Sequence, residues 1–291
     1  MPIRSFLFAP ANHARRAEKS LTVGADAVIL DLEDAVAISE KPGARPLAVA
    51  ALQKPRSCLG YIRVNGAATP FCHEDIVAVV QPGIDGIVLP MAESAADVQI
   101  ADWLIGQLER QRGLPVGGID LMPIVETAKG VNAIDAILSA GTRLRRVAFG
   151  AADYALDLGV AWTRDEREGR YARERLAVAS RAHGAEPPLD SVWARLDDEE
   201  GLAASNRTAQ ELGFQGKMCI HPNQIGPVNA AFTPSAEEVA FARRVVAAFA
   251  EAEAAGSAAF QIDGKFVDYP IVRRAEALVA TMEAIEARAR G

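Results

Sequence analysis

Short runs rich in Val, Ile, Leu and Phe recur along this sequence, each followed by an Ala-rich stretch with helical spacing. Eight of them predict strands at residues 5–9, 27–32, 60–65, 86–90, 120–125, 146–150, 188–192 and 216–220. The intervening residues 44–52, 95–109, 131–138 and 166–182 predict helices, because Ala, Leu, Arg and Glu lose little conformational freedom there. Eight βα steps are what a closed (β/α)8 TIM barrel requires, with the helices coating the outer face. A doubly wound open sheet is the alternative, although no GxGxxG or GxxxxGK[ST] segment supports nucleotide binding of the usual kinds.

A barrel commonly takes about 250 residues, so a chain of 291 has some forty left over. The surplus carries its own signals. Pro234-Ser235-Ala236-Glu237-Glu238 reads as a helix start in which Ser235 and Glu238 form a capping box, predicting a helix over 236–255. Residues 260–270 read as a hairpin turning at Asp263-Gly264, and 271–288 as a last helix. The expected organisation is a catalytic barrel over 1–231 and a C-terminal cap and oligomerisation segment over 232–291.

Charge and cysteine content narrow the function. Thirty-one basic against thirty-eight acidic residues give a net charge of -7, without the basic footprint used to bind nucleic acid or anionic membranes. No apolar stretch approaches the roughly 18 residues of a membrane span. Three widely spaced cysteines, Cys58, Cys72 and Cys219, argue against a disulfide framework or thiolate metal site, and the expected location is cytoplasmic.

Barrel active sites gather at the carboxyl ends of the strands. There the sequence places Asp31, Glu33 and Asp34 at the end of the second predicted strand, Arg63 and Asn65 on the third, Glu126 after the fifth, Asp153 after the sixth and His221 after the eighth. Glu126 and Asp153 suit a hard divalent cation that keeps open positions for water and substrate oxygens; the competing reading makes each an acid at a helix start. Arg63 fits a carboxylate clamp or a stabiliser of oxyanion charge, with a salt bridge to 31–34 as the alternative. Strand alternation puts Asp31 and Glu33 on one face and Leu32 and Asp34 on the other. His221 reads as support before catalysis. Neither a GxSxG elbow nor a local Cys-His arrangement suggests covalent hydrolysis.

Several segments together resemble the HpcH/HpaI aldolase and citrate lyase superfamily, in its citrate-lyase-beta-like CoA-ester lyase branch. They are Arg4-Ser5-Phe6-Leu7-Phe8-Ala9-Pro10, Asp31-Leu32-Glu33-Asp34-Ala35-Val36, Arg63-Val64-Asn65, Val125-Glu126-Thr127, Phe149-Gly150-Ala151-Ala152-Asp153, and the run from Gly213 through Lys217 and His221 to Ile225. The resemblance implies a TIM barrel and Mg²⁺ held by Glu126 and Asp153, with Glu126 also at the substrate. It gives Arg63 a role at the substrate and at the carbonyl oxygen that becomes an enolate, with Glu33 among the catalytic carboxylates.

The implied reaction is Mg²⁺-dependent carbon–carbon cleavage of a 3-hydroxyacyl-CoA, such as malyl-CoA or citramalyl-CoA, into an acyl-CoA and a small 2-oxo acid. The resemblance further implies that the C-terminal segment closes over a neighbouring active site in a homotrimer or hexamer, bringing Asp268 as a proton-exchanging carboxylate. Without it, Asp268 reads as a turn residue. Lys41 and Arg45 are the preferred contacts for CoA phosphates, ahead of His13, Arg15, Arg16, Lys19 and Lys217. Alternatives within this reading are a citrate lyase beta subunit acting on an acyl-carrier thioester, a malyl-CoA thioesterase and, more remotely, a noncatalytic CoA-ester-binding protein.

Overall fold

A computed structural model describes residues 2–254 and 256–290; Met1, Gly291 and Ala255, the last residue expected in the helix over 236–255, lie outside the described residues. Eight parallel strands form a closed barrel in sequence order: β1 Ser5–Pro10, β2 Ala27–Asp31, β3 Leu59–Arg63, β4 Gly86–Leu89, β5 Asp120–Val125, β6 Ala148–Phe149, β7 Leu189–Asp190 and β8 Gly216–Cys219. The ring closes where β1 meets β8, with Ser5 opposite Lys217. Helices α1 Ala14–Ser20, α2 Lys41–Leu52, α3 Cys72–Val79, α4 Ala95–Gln111, α5 Ala128–Asn132, α6 Ile134–Leu138, α7 Ala151–Asp157, α8 Arg170–Ala182, α9 Glu199–Glu211 and α10 Ile225–Ala231 lie between and after the strands.

Every residue of β2 is buried, as expected of a strand covered by side chains on one face and helices on the other. Phe6, Ile29, Tyr61, Val88, Met122, Ala148, Leu189 and Met218 fill one continuous core cluster. Tyr61 needs the space left by Gly86, where an added Cβ would stand 2.1 Å from its ring. Its hydroxyl donates to Asp120 over 2.8 Å, and Arg146 donates to the same carboxylate over 3.1 Å.

Boundaries differ from expectation where backbone conformation or polar pairing intervenes. The strands expected at 146–150 and 188–192 each shrink to two paired residues. The helix expected over 166–182 starts at Arg170, because Glu166 is left-handed at φ 50° and a 3-10 turn follows it. The helix expected over 131–138 is two short helices meeting at Ala133. Helices α1, α3, α7, α9 and α10 have no counterpart among the expected helices, although the competing reading of Asp153 as an acid at a helix start matches α7.

Contacts divide the chain into two compact units, one spanning Ile3–Ala230 and the other built on the chain from Ala231 onward. The second comprises α11 Ala236–Ala254, hairpin strands β9 Phe260–Ile262 and β10 Lys265–Val267, and α12 Tyr269–Arg290. The capping box forms as expected: the Glu238 N–H donates to Ser235 Oγ over 3.2 Å, and the Ser235 N–H donates to Glu238 Oε2 over 2.8 Å. Asp263 and Gly264 both take positive φ, at 52° and 73°, as a tight antiparallel turn requires. Val245, Phe249, Val267 and Val272 form this unit's own core. Among the described residues, no helix is long and apolar enough to cross a membrane.

Candidate active site at the carboxyl ends of the strands

A cavity of about 370 Å³ opens at the carboxyl ends of the barrel strands. Phe8 from β1, Asp31 from β2, Arg63 from β3, Ile124 from β5 and Met218 from β8 reach it along the strands. Asp34, Glu126, Gly150, Asp153, Ser191 and Val192 reach it from the loops and helix starts that follow them. The cavity combines an apolar wall with one cationic and several acidic groups, the composition that orients a small anionic ligand.

Arg63 is the centre of the charge arrangement. Its Nε and Nη2 donate to the two oxygens of Asp31, each over 2.7 Å, while Nη1 lies 2.9 Å from Glu33 and Nη2 lies 3.3 Å from Asp34. The guanidinium also stands over the Phe8 ring, 4.8 Å from its centroid. Burial works against its charge, but these carboxylates outweigh that cost and hold the group above its ordinary pKa. The expected separation of Asp34 from Asp31 and Glu33 fails here. β2 ends at Asp31, and Lys41 Nζ holds the following turn by donating to the carbonyls of Leu32 and Glu33 over 2.9 and 2.7 Å. Alternation ceases where the strand does, so all three acids reach one arginine.

Glu126, immediately after β5, is 3% exposed. The Met91 N–H donates to its Oε1 over 2.7 Å, and Oε2 makes no hydrogen bond among the described residues. Burial, opposed by the Met91 N–H and reinforced by Asp153 and Glu33, pushes the Glu126 carboxyl up to about 8. Burial also raises Glu33 to about 8, with Arg63 opposing and Asp34 and Asp31 adding to the rise. Asp153 stands half-buried on the first turn of α7 and makes no hydrogen bond or ion pair among the described residues.

Among the described residues, no group of three or more His, Cys, Asp or Glu side chains is arranged to hold a metal. Glu126 and Asp153 both line the cavity, and a pair of carboxylates is a donor set that suits Mg²⁺ with water and substrate oxygens as further ligands. A closed zinc cage needs more side-chain donors. A buried carboxylate with an oxygen free of hydrogen bonds among the described residues, in one cavity with a second unpaired carboxylate, fits a hard divalent cation.

Lys41 and Arg45, the preferred contacts for CoA phosphates, occupy buried positions in α2. Lys41 Nζ, besides the two carbonyls, donates to Asn65 Oδ1 over 2.7 Å. Arg45 pairs with Asp75 and Glu74, each over 2.7 Å. Both cations are engaged inside the protein, and Lys41 instead fixes the turn that carries Glu33 and Asp34. Lys217 is likewise fully buried, bound to Asp190 and Ser205. His13, Arg15, Arg16 and Lys19 remain exposed along α1.

His221 is half-buried, and its Nδ1 accepts the Asn223 N–H over 3.2 Å, a capping role in keeping with support. Asp268 belongs to the C-terminal unit, where its backbone carbonyl accepts the Val272 N–H at the start of α12. Sequence reasoning missed three further groups. Asp75 accepts the backbone N–H and the side-chain amide of Asn65, the strand-end residue already named, over 2.9 and 2.6 Å and so braces the end of β3. Ser191 Oγ accepts the Ala151 N–H over 2.8 Å, tying the β7 end to the helix of Asp153. The Met91 amide carries no side-chain signal and was not readable at all.

The sequence pattern of the HpcH/HpaI aldolase/citrate lyase family matches residues 4–222. The chain belongs to this family. Its relatives include a citrate lyase subunit beta from Leuconostoc mesenteroides subsp. cremoris, 39% identical over 94% of this chain and 91% of that protein. An L-malyl-CoA/beta-methylmalyl-CoA lyase from Rhodobacter capsulatus is 34% identical over 96% of this chain and 94% of its own. Among family structures, CitE from Mycobacterium tuberculosis in complex with magnesium, acetoacetate and coenzyme A superposes with a TM-score of 0.78. It shares 32% identity and covers 97% of this chain and 98% of its own. The segments that carried the resemblance at 31–36, 63–65, 125–127 and 149–153 all contribute groups at or beside the cavity.

Proposed function

We propose that the protein is a Mg²⁺-dependent carbon–carbon lyase that cleaves a 3-hydroxyacyl-CoA, such as malyl-CoA or citramalyl-CoA, into an acyl-CoA and a small 2-oxo acid. The observation that carries this reading is that Arg63 and the carboxylates Glu126 and Asp153 line one cavity at the strand ends. Similarity to the malyl-CoA lyases and to magnesium-bound CitE supports it.

Glu126 and Asp153 would hold the ion, which supplies Lewis-acid stabilisation of the small acid's oxygens. Cleavage requires the substrate hydroxyl to lose its proton as the adjacent carbon–carbon bond breaks. The bond's electron pair then passes to the thioester enolate. Arg63, anchored through Asp31, would donate to that developing oxygen charge from Nη1, the nitrogen it shares with Glu33. Glu33, beside the guanidinium and pushed up to about 8, is suited to exchanging a proton near neutral pH. Asp268, delivered by the C-terminal segment of a neighbouring subunit in a trimer or hexamer, returns a proton to the enolate carbon. Lys41 and Arg45 then serve as positioning residues, and the exposed cations of α1 take over the CoA phosphates.

A second reading follows from the 39% identity to a citrate lyase subunit beta: the same barrel would cleave a citryl thioester on an acyl-carrier partner. Mass-resolved product analysis of malyl-, citramalyl-, methylmalyl- and citryl-CoA and of a carrier-bound citryl thioester, with and without Mg²⁺, separates the outcomes. A 2-oxo acid plus a shorter acyl-CoA is the expected result. Free CoA with an intact hydroxy acid would mean a thioesterase, and turnover confined to a carrier-bound citryl thioester would mean the citrate lyase reading.

A further inference from the structure

We propose that the backbone N–H of Met91 and the side-chain-free face of Gly150 act together as positioning elements that present Glu126 to a divalent cation through Oε2 alone. The inference rests on the metal role proposed above for Glu126. A glutamate side chain is long and rotamer-rich, and holding it in one geometry costs conformational entropy unless neighbours fix it in advance.

Two neighbours do so, and each breaks the ordinary residue preference at its position. Met91 follows β4 and Pro90 with φ at 52°, a left-handed conformation uncommon for a residue with a Cβ. Packing does not demand it, because Met91 is 42% exposed. At this turn the Met91 N–H donates to Glu126 Oε1 over 2.7 Å, and the next N–H, that of Ala92, donates to the Ile124 carbonyl over 3.1 Å, so two successive amides hold the end of β4 against the end of β5.

Gly150 is the reverse case. Its backbone, at φ -107° and ψ 92°, is extended and open to any residue, so glycine is not there for conformational freedom. It is there for room: an added Cβ would stand 2.3 Å from Glu126 Oε2 and 2.6 Å from Glu126 Cβ. The backbone cannot retreat without cost, since the Gly150 N–H donates to the Val125 carbonyl over 3.2 Å, joining β6 to the residue just before Glu126.

A non-glycine thus occupies the conformation that favours glycine, and a glycine occupies one that does not need it. Both departures converge on one carboxylate. With Oε1 already accepting from the amide, Oε2 is the oxygen with no hydrogen bond among the described residues, and so the one a cation meets without competing for an occupied lone pair. A one-oxygen ligand leaves more of the six Mg²⁺ positions for water and substrate.

The test is a Mn²⁺ titration of the full-length protein followed by electron paramagnetic resonance, which reads metal affinity without turnover. Replacing Met91 by its α-hydroxy acid analogue exchanges the amide for an ester and removes only the N–H. This replacement and Gly150→Ala are each expected to weaken Mn²⁺ binding about 10-fold or more, the usual scale for losing a group that orients a ligand. The far-UV spectrum should be retained, and Glu126→Ala should abolish the site. Wild-type affinity in the ester protein, with the site lost in Glu126→Ala, overturns the positioning role while leaving the metal reading intact. Wild-type affinity in Glu126→Ala overturns the metal reading and the inference with it. If Gly150→Ala fails to fold, the ester protein decides alone.

Discussion

Asp31 and Arg63 are register partners on β2 and β3 and meet as a two-pronged buried ion pair, Nε to Oδ1 and Nη2 to Oδ2, each over 2.7 Å. Asp31 is itself fixed by the N–H groups of Glu33 and Ala35, over 2.9 and 3.0 Å. One edge of the guanidinium is therefore rigidly anchored, and the other faces Glu33 and the more exposed Asp34. Arg63→Lys keeps the charge but loses the planar fork. It should lower kcat by about 10²- to 10³-fold, the scale of losing an oxyanion donor, while Mn²⁺ affinity stays within a factor of a few. Steady-state kinetics beside a metal titration checks this; wild-type kcat in Arg63→Lys removes Arg63 from charge stabilisation. Asp31→Ala should destabilise the fold by up to about 3–5 kcal/mol in urea unfolding, the scale of breaking a buried pair, reduced by what Glu33 and Asp34 still give Arg63.

Metal affinity should depend on pH with a definite sign. The cation binds the Glu126 carboxylate, whereas in the metal-free protein burial, with Asp153 adding to it, keeps the carboxyl protonated up to about 8. Affinity should rise with pH and level off above that value, falling about 10-fold for each unit below it. Calorimetric Mg²⁺ titrations from pH 6 to 9 in two buffers of different ionisation enthalpy would show proton release on binding. A flat profile without release contradicts the assignment. The same raised value means that the folded metal-free protein holds more protons than the unfolded chain between the ordinary carboxylate range and about 8. Its stability should therefore decline as pH rises through that window.

Lys217 is fully buried at β8 and bonds Asp190 and Ser205, while Arg173 of α8 bonds the same aspartate. Burial opposes the Asp190 charge, but the two cations outweigh it and hold the carboxyl low. Arg173 also pairs with buried Glu166 over 3.0 Å, so Lys217→Met leaves two buried carboxylates on one cation and should cost about 3–5 kcal/mol. The Michaelis constant for a CoA ester, measured below the new unfolding temperature, should be unchanged. A selective rise in that constant without a loss of stability would restore Lys217 to the CoA site.

Asp268→Asn tests the C-terminal segment. The α12 start should persist, because the bond from the Val272 N–H goes to the Asp268 backbone carbonyl and the side-chain contribution is a 3.4 Å bond from the Ile271 N–H. A stability loss below about 1 kcal/mol is expected from so long a cap bond. Turnover should fall about 10²-fold or more if Asp268 carries the proton to the enolate carbon. Solvent deuterium incorporation into the acyl-CoA product should fall with it, and normal incorporation at a normal rate would exclude the role.

The strands and the acids at their ends were readable because a parallel barrel buries both faces of each strand. Continuous apolar runs such as Ala27 to Leu30 then stand out, and a polar residue closing such a run is conspicuous. The same pattern misled at Asp34, since alternation holds only while the chain stays in the strand. It was uninformative at Lys41, Arg45 and Lys217, because a cation on a helix or strand has the same one-letter identity whether it faces solvent or an internal carboxylate.

The sequence by itself determined the βα order, the capped helix and Asp-Gly hairpin of the C-terminal segment, and the acids and arginine at the strand ends. Those features follow from local propensity and from which residues must leave water, and both are properties of the chain read in order. Only the tertiary structure decided that Asp31, Glu33 and Asp34 converge on Arg63, and that Lys41 and Arg45 are spent inside. It also decided that the Met91 amide and Gly150 shape the surroundings of Glu126. Those relationships join residues roughly 24 to 35 positions apart through backbone groups and shared charge, and partners of that kind exist only once the barrel has closed.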